Sequence, residues 1–97
     1  MLRNGLYCTE KAEENRAIIT LCNELHPIFK AHFPTKPILP GFMHFDIIED
    51  VFGKKITEIK KAKFLKTVTP NQTLIYERNK NNFKVLCKDE VVASFTL

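Results

Sequence analysis

The sequence predicts a small α+β domain in which one buried helix lies within a mostly antiparallel sheet. Three observations lead to this prediction. The chain has 97 residues, which is room for a single domain over residues 1–97. One strongly apolar segment, residues 42–53, has helical character and follows a proline-rich stretch. Short runs of strand-forming residues, separated by brief polar turns, make up most of the remainder.

The first predicted element is a hairpin. Residues 5–8 and 17–22 are rich in strand formers and flank the polar stretch 9–16. Residues 23–33 then read as an irregular segment.

A stiff loop and the helix come next. Pro34, Pro37 and Pro40 stand at every third position and end at Gly41. Each proline fixes its own φ and moves the preceding residue away from helical geometry, so the loop is predicted to be extended. Residues 42–52 then predict about three turns of helix that Gly53 ends. Apolar side chains cover almost the whole circumference, which predicts a helix buried on most sides.

The rest of the chain predicts strands. These cover residues 56–64, 73–78, 83–87 and 91–97, with turns at 79–82 and 88–90. Short turns between consecutive strands imply antiparallel pairing.

Composition limits the function classes. The formal charge of +4 suits acidic partners, although lysines that only keep the surface soluble are the more common explanation. No nucleic-acid-binding motif is found. The small size favours a second copy that covers part of the core.

The cysteines and the apolar stretches predict a reduced, cytoplasmic protein without a membrane span. Cys8, Cys22 and Cys87 fit neither a metal-ligand spacing nor a complete disulfide framework. No apolar signal region follows Met1, and the apolar stretch near residues 42–52 is too short to cross a bilayer.

Candidate chemistry lies where the loop meets the helix. The N–H groups at a helix start and the helix dipole can stabilise an enolate-like oxygen, and Gly41 has no Cβ to keep a ligand away. Asp46 follows just over one turn later among apolar residues, and a carboxyl group in such surroundings keeps the proton that a donor needs. His32 is the natural base near neutral pH. Each feature also has a structural reading: a core histidine, a rigid connection, and a helix carboxylate that faces solvent.

A specific motif favours the catalytic reading. Residues 32–41 read His-Phe-Pro-Thr-Lys-Pro-Ile-Leu-Pro-Gly, and Asp46 follows after four more residues. This segment resembles the active-site motif of the FabA/FabZ-like 3-hydroxyacyl-acyl-carrier-protein dehydratases at every fixed position. Residues 62–74, with the turn Pro70-Asn71-Gln72, are similar to a later strand and turn of that family. The likeness covers roughly residues 17–97.

The resemblance implies a hot-dog fold, in which an antiparallel sheet wraps a central helix at about residues 42–53. It also implies a homodimer with two sites at the interface, and a cofactor-free lyase acting on acyl thioesters of an acyl carrier protein or CoA. In the implied reaction the Gly41 amide binds the thioester carbonyl, His32 removes the C2 proton, and Asp46 assists loss of the C3 hydroxyl. The acyl chain would contact Phe33, Pro40, Phe42 and Phe45, without a metal.

Several residues depart from the family pattern. Asp50 stands where the family often has Gln, and Asn71 stands where it has Gly, although Asn also tolerates left-handed geometry. His44 occupies a position that is usually apolar, either as a core residue with a satisfied ring or as part of the acyl tunnel. The lysines around the strand after the helix suit an acidic carrier or a solvated surface: Lys54, Lys55, Lys60, Lys61, Lys63 and Lys66.

Three functions remain open at this point. The leading hypothesis is a (3R)-3-hydroxyacyl thioester dehydratase of fatty-acid, polyene or polyketide biosynthesis. The alternatives are a non-catalytic hot-dog subunit that binds an acyl carrier and an acyl thioesterase of the same fold.

Overall fold

The computed structural model describes residues 5–31 and 37–97, with the side chains of residues 30 and 31 left aside. These residues form six strands and two helices. In chain order the elements are β1 (Tyr7–Ala12), β2 (Arg16–Leu21), α1 (Pro27–Ala31), α2 (Met43–Phe52), β3 (Lys61–Phe64), β4 (Thr73–Asn79), β5 (Asn82–Cys87) and β6 (Glu90–Thr96).

The strands form one six-stranded sheet in the order β1-β2-β4-β5-β6-β3, and every pair is antiparallel. Strands β1 and β3 therefore lie at the two edges. The predicted α+β class and the antiparallel pairing are confirmed, and β4, β5 and β6 lie within two residues of their predicted bounds.

Helix α2 packs against this sheet. It ends at Gly53, whose φ of 60° is left-handed and whose N–H donates to the Glu49 carbonyl, as the sequence predicts. Met43, Ile47 and Ile48 are buried in a core that they share with β-strand residues such as Leu74 and Val85. About 2 kcal/mol per fully buried side chain of this kind favours the folded state.

The helix is not buried on most sides, which corrects the prediction. Asp46 and Asp50 are exposed, and Phe42, just before the helix, keeps 47% of its surface. These three positions are four residues apart and so share one helix face. The apolar residues beside them face the sheet, because the sheet covers one side of α2 within a single subunit.

Two further predictions need correction. The predicted polar loop 9–16 is mostly strand, because β1 is an exposed edge strand that tolerates polar residues. The predicted strand 56–64 shrinks to β3, since the Ile56 N–H donates to a Glu49 carboxylate oxygen (2.8 Å) and is held against the helix. The segment 23–33, predicted to be irregular, contains α1, with Pro27 as its first residue.

All three cysteines are free thiols, with Cys8 exposed and Cys87 buried. Within the described ranges, no helix has the length and apolar character needed to cross a membrane.

Candidate active site

At the start of α2, the Gly41 amide has no hydrogen-bond partner among the described residues. Tight-turn hydrogen bonds use three N–H groups here: Met43 donates to the Pro40 carbonyl (3.0 Å), His44 to that of Gly41 (3.1 Å) and Phe45 to that of Phe42 (3.2 Å). The first N–H groups of the helix are therefore more fully paired than we expected. The Gly41 N–H makes no hydrogen bond to the described part of the chain, so this amide can serve a ligand oxygen.

Gly41 is also required sterically. A Cβ atom at this position would lie 2.7 Å from Cε1 and 3.0 Å from Cδ1 of the Phe64 ring. Such distances are shorter than any ordinary contact, so a larger residue would displace the ring. Phe64 belongs to the edge strand β3, and no sequence pattern predicts this contact because it joins residues far apart in the chain.

Asp46 lies in the first turn of α2 and is exposed. The apolar surroundings that we expected for it are absent in the single chain. Its neighbours Ile47 and Ile48 are fully buried, but they point to the sheet and not to the carboxyl group. The solvent-facing alternative therefore describes the isolated subunit.

The other predicted site residues differ in whether the structure describes them and in how exposed they are. His32 and Phe33 lie outside the described residues, so their roles stay predictions. Pro40 is buried, Phe42 is exposed, and Phe45 is half-buried with its ring centroid 4.7 Å from that of Phe95. Nothing in the structure assigns these three to an acyl chain, and that role also stays a prediction.

His44 is a core residue with a satisfied ring, the first of the two readings of this position. Only 3% of its surface is exposed to solvent, and its Nδ1 lies 2.7 Å from the Tyr76 hydroxyl oxygen. Burial lowers the pKa of His44 from 6.5 to about 4, which keeps the ring neutral. Burial also raises the pKa of Tyr76, which stays a protonated donor or acceptor. The sequence did not identify Tyr76 as the partner.

Two family departures have local explanations. Asp50 accepts a hydrogen bond from the Tyr7 hydroxyl, so it ties α2 to the edge strand β1. Asn71 adopts a left-handed φ of 69°, as predicted for an Asn in the place of Gly. Its N–H donates to the Cys22 carbonyl (2.9 Å), which fixes the turn against the end of β2.

The predicted lysine group divides into three surfaces. Lys61 and Lys63 line an open groove of about 790 Å³ together with Lys84, and neither Gly41 nor Asp46 lines it. A smaller cavity of about 190 Å³ beside Leu97 is lined by Lys54, Lys55 and Lys60. Lys66 pairs with Glu90, whose pKa is lowered by this hydrogen bond.

No group of three or more His, Cys, Asp or Glu side chains in the described part of the chain is placed to hold a metal ion.

Comparisons with known proteins identify the family. The sequence profile of the ApeI-like family, described as ApeI dehydratase, matches residues 9–96. The 3-hydroxyacyl-[acyl-carrier-protein] dehydratase FabZ of Wolbachia sp. subsp. Drosophila simulans (strain wRi) is 38% identical, over 55% of this chain and 46% of that protein. That of Wolbachia sp. subsp. Brugia malayi (strain TRS) is 32% identical over 69% and 58%. The chain spans about half the length of these curated relatives.

Solved structures agree on the fold. The dehydratase heterocomplex ApeI:P from Xenorhabdus doucetiae superposes with a TM-score of 0.66, at 22% identity, over 91% of this chain and 89% of that chain. An uncharacterised protein from Erwinia carotovora subsp. atroseptica gives a TM-score of 0.52 at 21% identity, over 90% and 85%. The antiparallel sheet around α2 is thus the hot-dog fold that the resemblance implied. The matched profile covers nearly the whole sequence, and the chain belongs to the ApeI-like dehydratase family.

Proposed function

We propose that the chain is a (3R)-3-hydroxyacyl-thioester dehydratase that forms trans-2-enoyl thioesters. The observation that carries this proposal is the helix start, where a Gly41 amide without a described partner and an exposed Asp46 stand in the family's motif order after His32. An amide donor and a carboxyl group on one helix are what an elimination next to a carbonyl needs.

The reaction removes water from C2 and C3. The Gly41 N–H donates to the thioester carbonyl oxygen, which makes the C2 proton more acidic. His32 takes that proton, and the electron pair of the C2–H bond becomes the C2–C3 double bond. The C3–O bond breaks, and the hydroxyl leaves as water with a proton from Asp46. The proton on His32 later returns to the carboxylate, which restores the starting state without a cofactor.

The proposal includes a homodimer with two sites at the interface. Asp46 is exposed in one subunit, whereas a proton donor works best away from bulk water. In the arrangement that the family resemblance implies, Asp46 of one subunit faces His32 of the partner subunit. A second copy that covers this face would also cover the exposed apolar side chain of Phe42 at the start of the helix.

The acyl group is proposed to arrive on the phosphopantetheine of an acyl carrier protein or of CoA, in a cytoplasmic setting that suits three free thiols. Support comes from the curated relatives, whose names specify an acyl carrier protein. Carrier proteins of acidic character would meet exposed lysines such as Lys61 and Lys63. Charge reversal of Lys60, Lys61 and Lys63 should then weaken carrier binding, and most strongly at low salt. Equal affinity before and after reversal would rule out these lysines as the docking site.

Mass spectrometry tests the activity directly. Purified protein is incubated with (3R)-3-hydroxyacyl carrier protein, and the loss of one water from the acyl group is followed. We expect dehydration by the wild type and losses of at least about a hundredfold for His32→Ala and Asp46→Asn, as for removal of a general base or acid. Asp50→Asn is the matched control, because it changes an exposed carboxyl group one turn further along α2.

A second candidate is a non-catalytic subunit that binds an acyl carrier beside a different chain. The observation in its favour is that the superposed chain comes from a structure described as the dehydratase heterocomplex ApeI:P. Carrier binding without water loss at any chain length, unchanged by His32→Ala, would support this candidate. Release of a free thiol without enoyl product, in the same spectra, would instead indicate a thioesterase.

A further inference from the structure

We propose that Phe64 determines substrate specificity by excluding acyl groups that carry a substituent at C2. This inference rests on the proposed function, in which the Gly41 amide binds the thioester carbonyl. It concerns the width of the site next to the reacting carbons and not the length of the acyl chain.

The first step is the contact between Phe64 and Gly41. Three atoms of the Phe64 ring would lie 2.7–3.1 Å from a Cβ on Gly41, so the ring lies directly against the backbone of this residue. Apart from Gly41 and its chain neighbours, the three heavy atoms nearest to this Cβ position all belong to the Phe64 ring. The aromatic ring is therefore a wall next to the amide that would bind the carbonyl.

The second step is that other rings hold this wall in place. The Phe64 ring centroid lies 5.5 Å from that of Phe95 and 6.5 Å from that of Phe45, with edge-to-face angles near 63° and 85°. The His44 ring is nearly parallel to it, at 6.4 Å and 22°. His44 is itself fixed by the Tyr76 hydroxyl. Movement of the Phe64 ring would disturb three aromatic contacts, each of which favours this arrangement.

The third step is that the wall is accessible. Phe64 has 53% of its surface exposed, although its ring lies against Gly41 and packs on other aromatic rings. Part of this apolar side chain is therefore available to a ligand that binds the Gly41 amide.

The fourth step is chemical distance. A carbonyl oxygen bound to the Gly41 N–H would lie about 2.9 Å from the nitrogen. The C2 atom is only two bonds from that oxygen, whereas the distal part of the acyl chain is many bonds away. A methyl group on C2 would therefore compete with the ring for space, and chain length would not.

The test compares three substrates: an unbranched (3R)-3-hydroxyacyl thioester, its 2-methyl analogue, which keeps one C2 hydrogen for removal, and a longer unbranched thioester. The variants are Phe64→Ala and Phe64→Leu, of which the second keeps an apolar side chain on β3. Leu65→Ala is the matched control, since Leu65 is the next residue and is 57% exposed.

We expect the ratio of kcat/KM for the 2-methyl substrate to that for the unbranched one to rise at least about tenfold in Phe64→Ala, and less in Phe64→Leu. The ratio of kcat/KM for the long unbranched substrate to that for the short one should stay constant. Leu65→Ala should change neither of these two ratios. The dimer mass, measured by light scattering, should not change.

Two results would overturn the inference. One is an unchanged branched-to-unbranched ratio in Phe64→Ala. The other is an equal loss for all three substrates with a changed dimer mass, which would make Phe64 an interface residue only. Absence of turnover by the wild type would count against the proposed function instead. Phe64 would then be tested by calorimetry with unreactive amide analogues, where the same selectivity ratio in affinity is expected and its absence overturns the assignment.

Discussion

The buried His44–Tyr76 pair predicts a specific loss of stability in acid. Burial lowers the pKa of His44 from 6.5 to about 4. Between these two values the unfolded chain binds a proton at this ring and the folded chain does not. The free energy of unfolding therefore falls as the pH falls through this window, and it is fully retained above pH 6.5. At pH 4 the loss from His44 alone amounts to about 3 kcal/mol, which is a large share of the stability of a small domain.

The assay is urea unfolding, followed by far-UV circular dichroism at pH 7, 6, 5 and 4. His44→Gln has a side chain that does not titrate and that can still hydrogen-bond to the Tyr76 hydroxyl. The variant can be less stable than the wild type at pH 7, because its shape differs from that of imidazole. The measured quantity is the decrease in the free energy of unfolding between pH 7 and pH 4, which should be about 3 kcal/mol smaller in the variant than in the wild type.

Carboxylate groups also lose charge in this range, but they do so in both proteins and cancel in the comparison. His26→Gln is the control, since it removes a half-buried histidine that lies outside the pair. Equal pH dependence in the wild type and in His44→Gln would refute the reasoning. So would an effect of the same size in His26→Gln, because it would then not be particular to the buried ring.

Three further changes test the packing around the helix. Gly41→Ala should lower the free energy of unfolding by about 1–3 kcal/mol in urea titrations, because the added Cβ collides with the Phe64 ring. This cost should be smaller when Phe64 is also replaced by Ala, and equal costs in both backgrounds would contradict the contact. Tyr76→Phe should lower the free energy of unfolding by about 1–3 kcal/mol in the same assay, because it leaves His44 Nδ1 buried without a hydrogen-bond partner. Unchanged stability would show that this hydrogen bond contributes nothing. Ile47→Ala should lower the free energy of unfolding by about 2–5 kcal/mol in thermal or urea unfolding, since Ile47 is fully buried between α2 and the sheet. A decrease under about 1 kcal/mol would mean that the neighbouring side chains fill the space left by the smaller residue.

Local chemistry made much of the fold predictable from the sequence. Gly53 ends α2 because a left-handed residue completes the last turn, and that rule needs no tertiary information. The same holds for Asn71 in its turn, where the side chain tolerates positive φ. Strands β4, β5 and β6 were found because short turns leave little freedom in how consecutive strands pair.

Features that depend on distant contacts were less accessible. Strand β1 carries Thr9 and Lys11 at positions that read as a loop, and only its edge position explains why they are tolerated. The exposure of Asp46 depends on which side of α2 the sheet covers, and a helix with apolar residues on almost every side does not show this. The contact between Phe64 and Gly41 requires β3 to pair with β6 at the sheet edge, where the Phe64 Cα lies opposite Ala93.

The candidate site therefore combines residues that are held by contacts within one subunit with one residue, Asp46, that is exposed to solvent. Gly41, His44 and Phe64 are fixed by contacts within one subunit, so the position of the amide and of the ring beside it does not depend on a partner. Asp46 has no such support, since it lies on the exposed face of the helix. A proton donor in bulk water gains little from its position, because water competes for the same proton. The proposed role of Asp46 as proton donor therefore calls for a surface that covers it, and a second copy of the chain, as proposed, could supply that surface while covering the exposed side of Phe42 as well. Assembly and catalysis would then depend on the same helix face, so a change on that face that separates the subunits should also abolish dehydration.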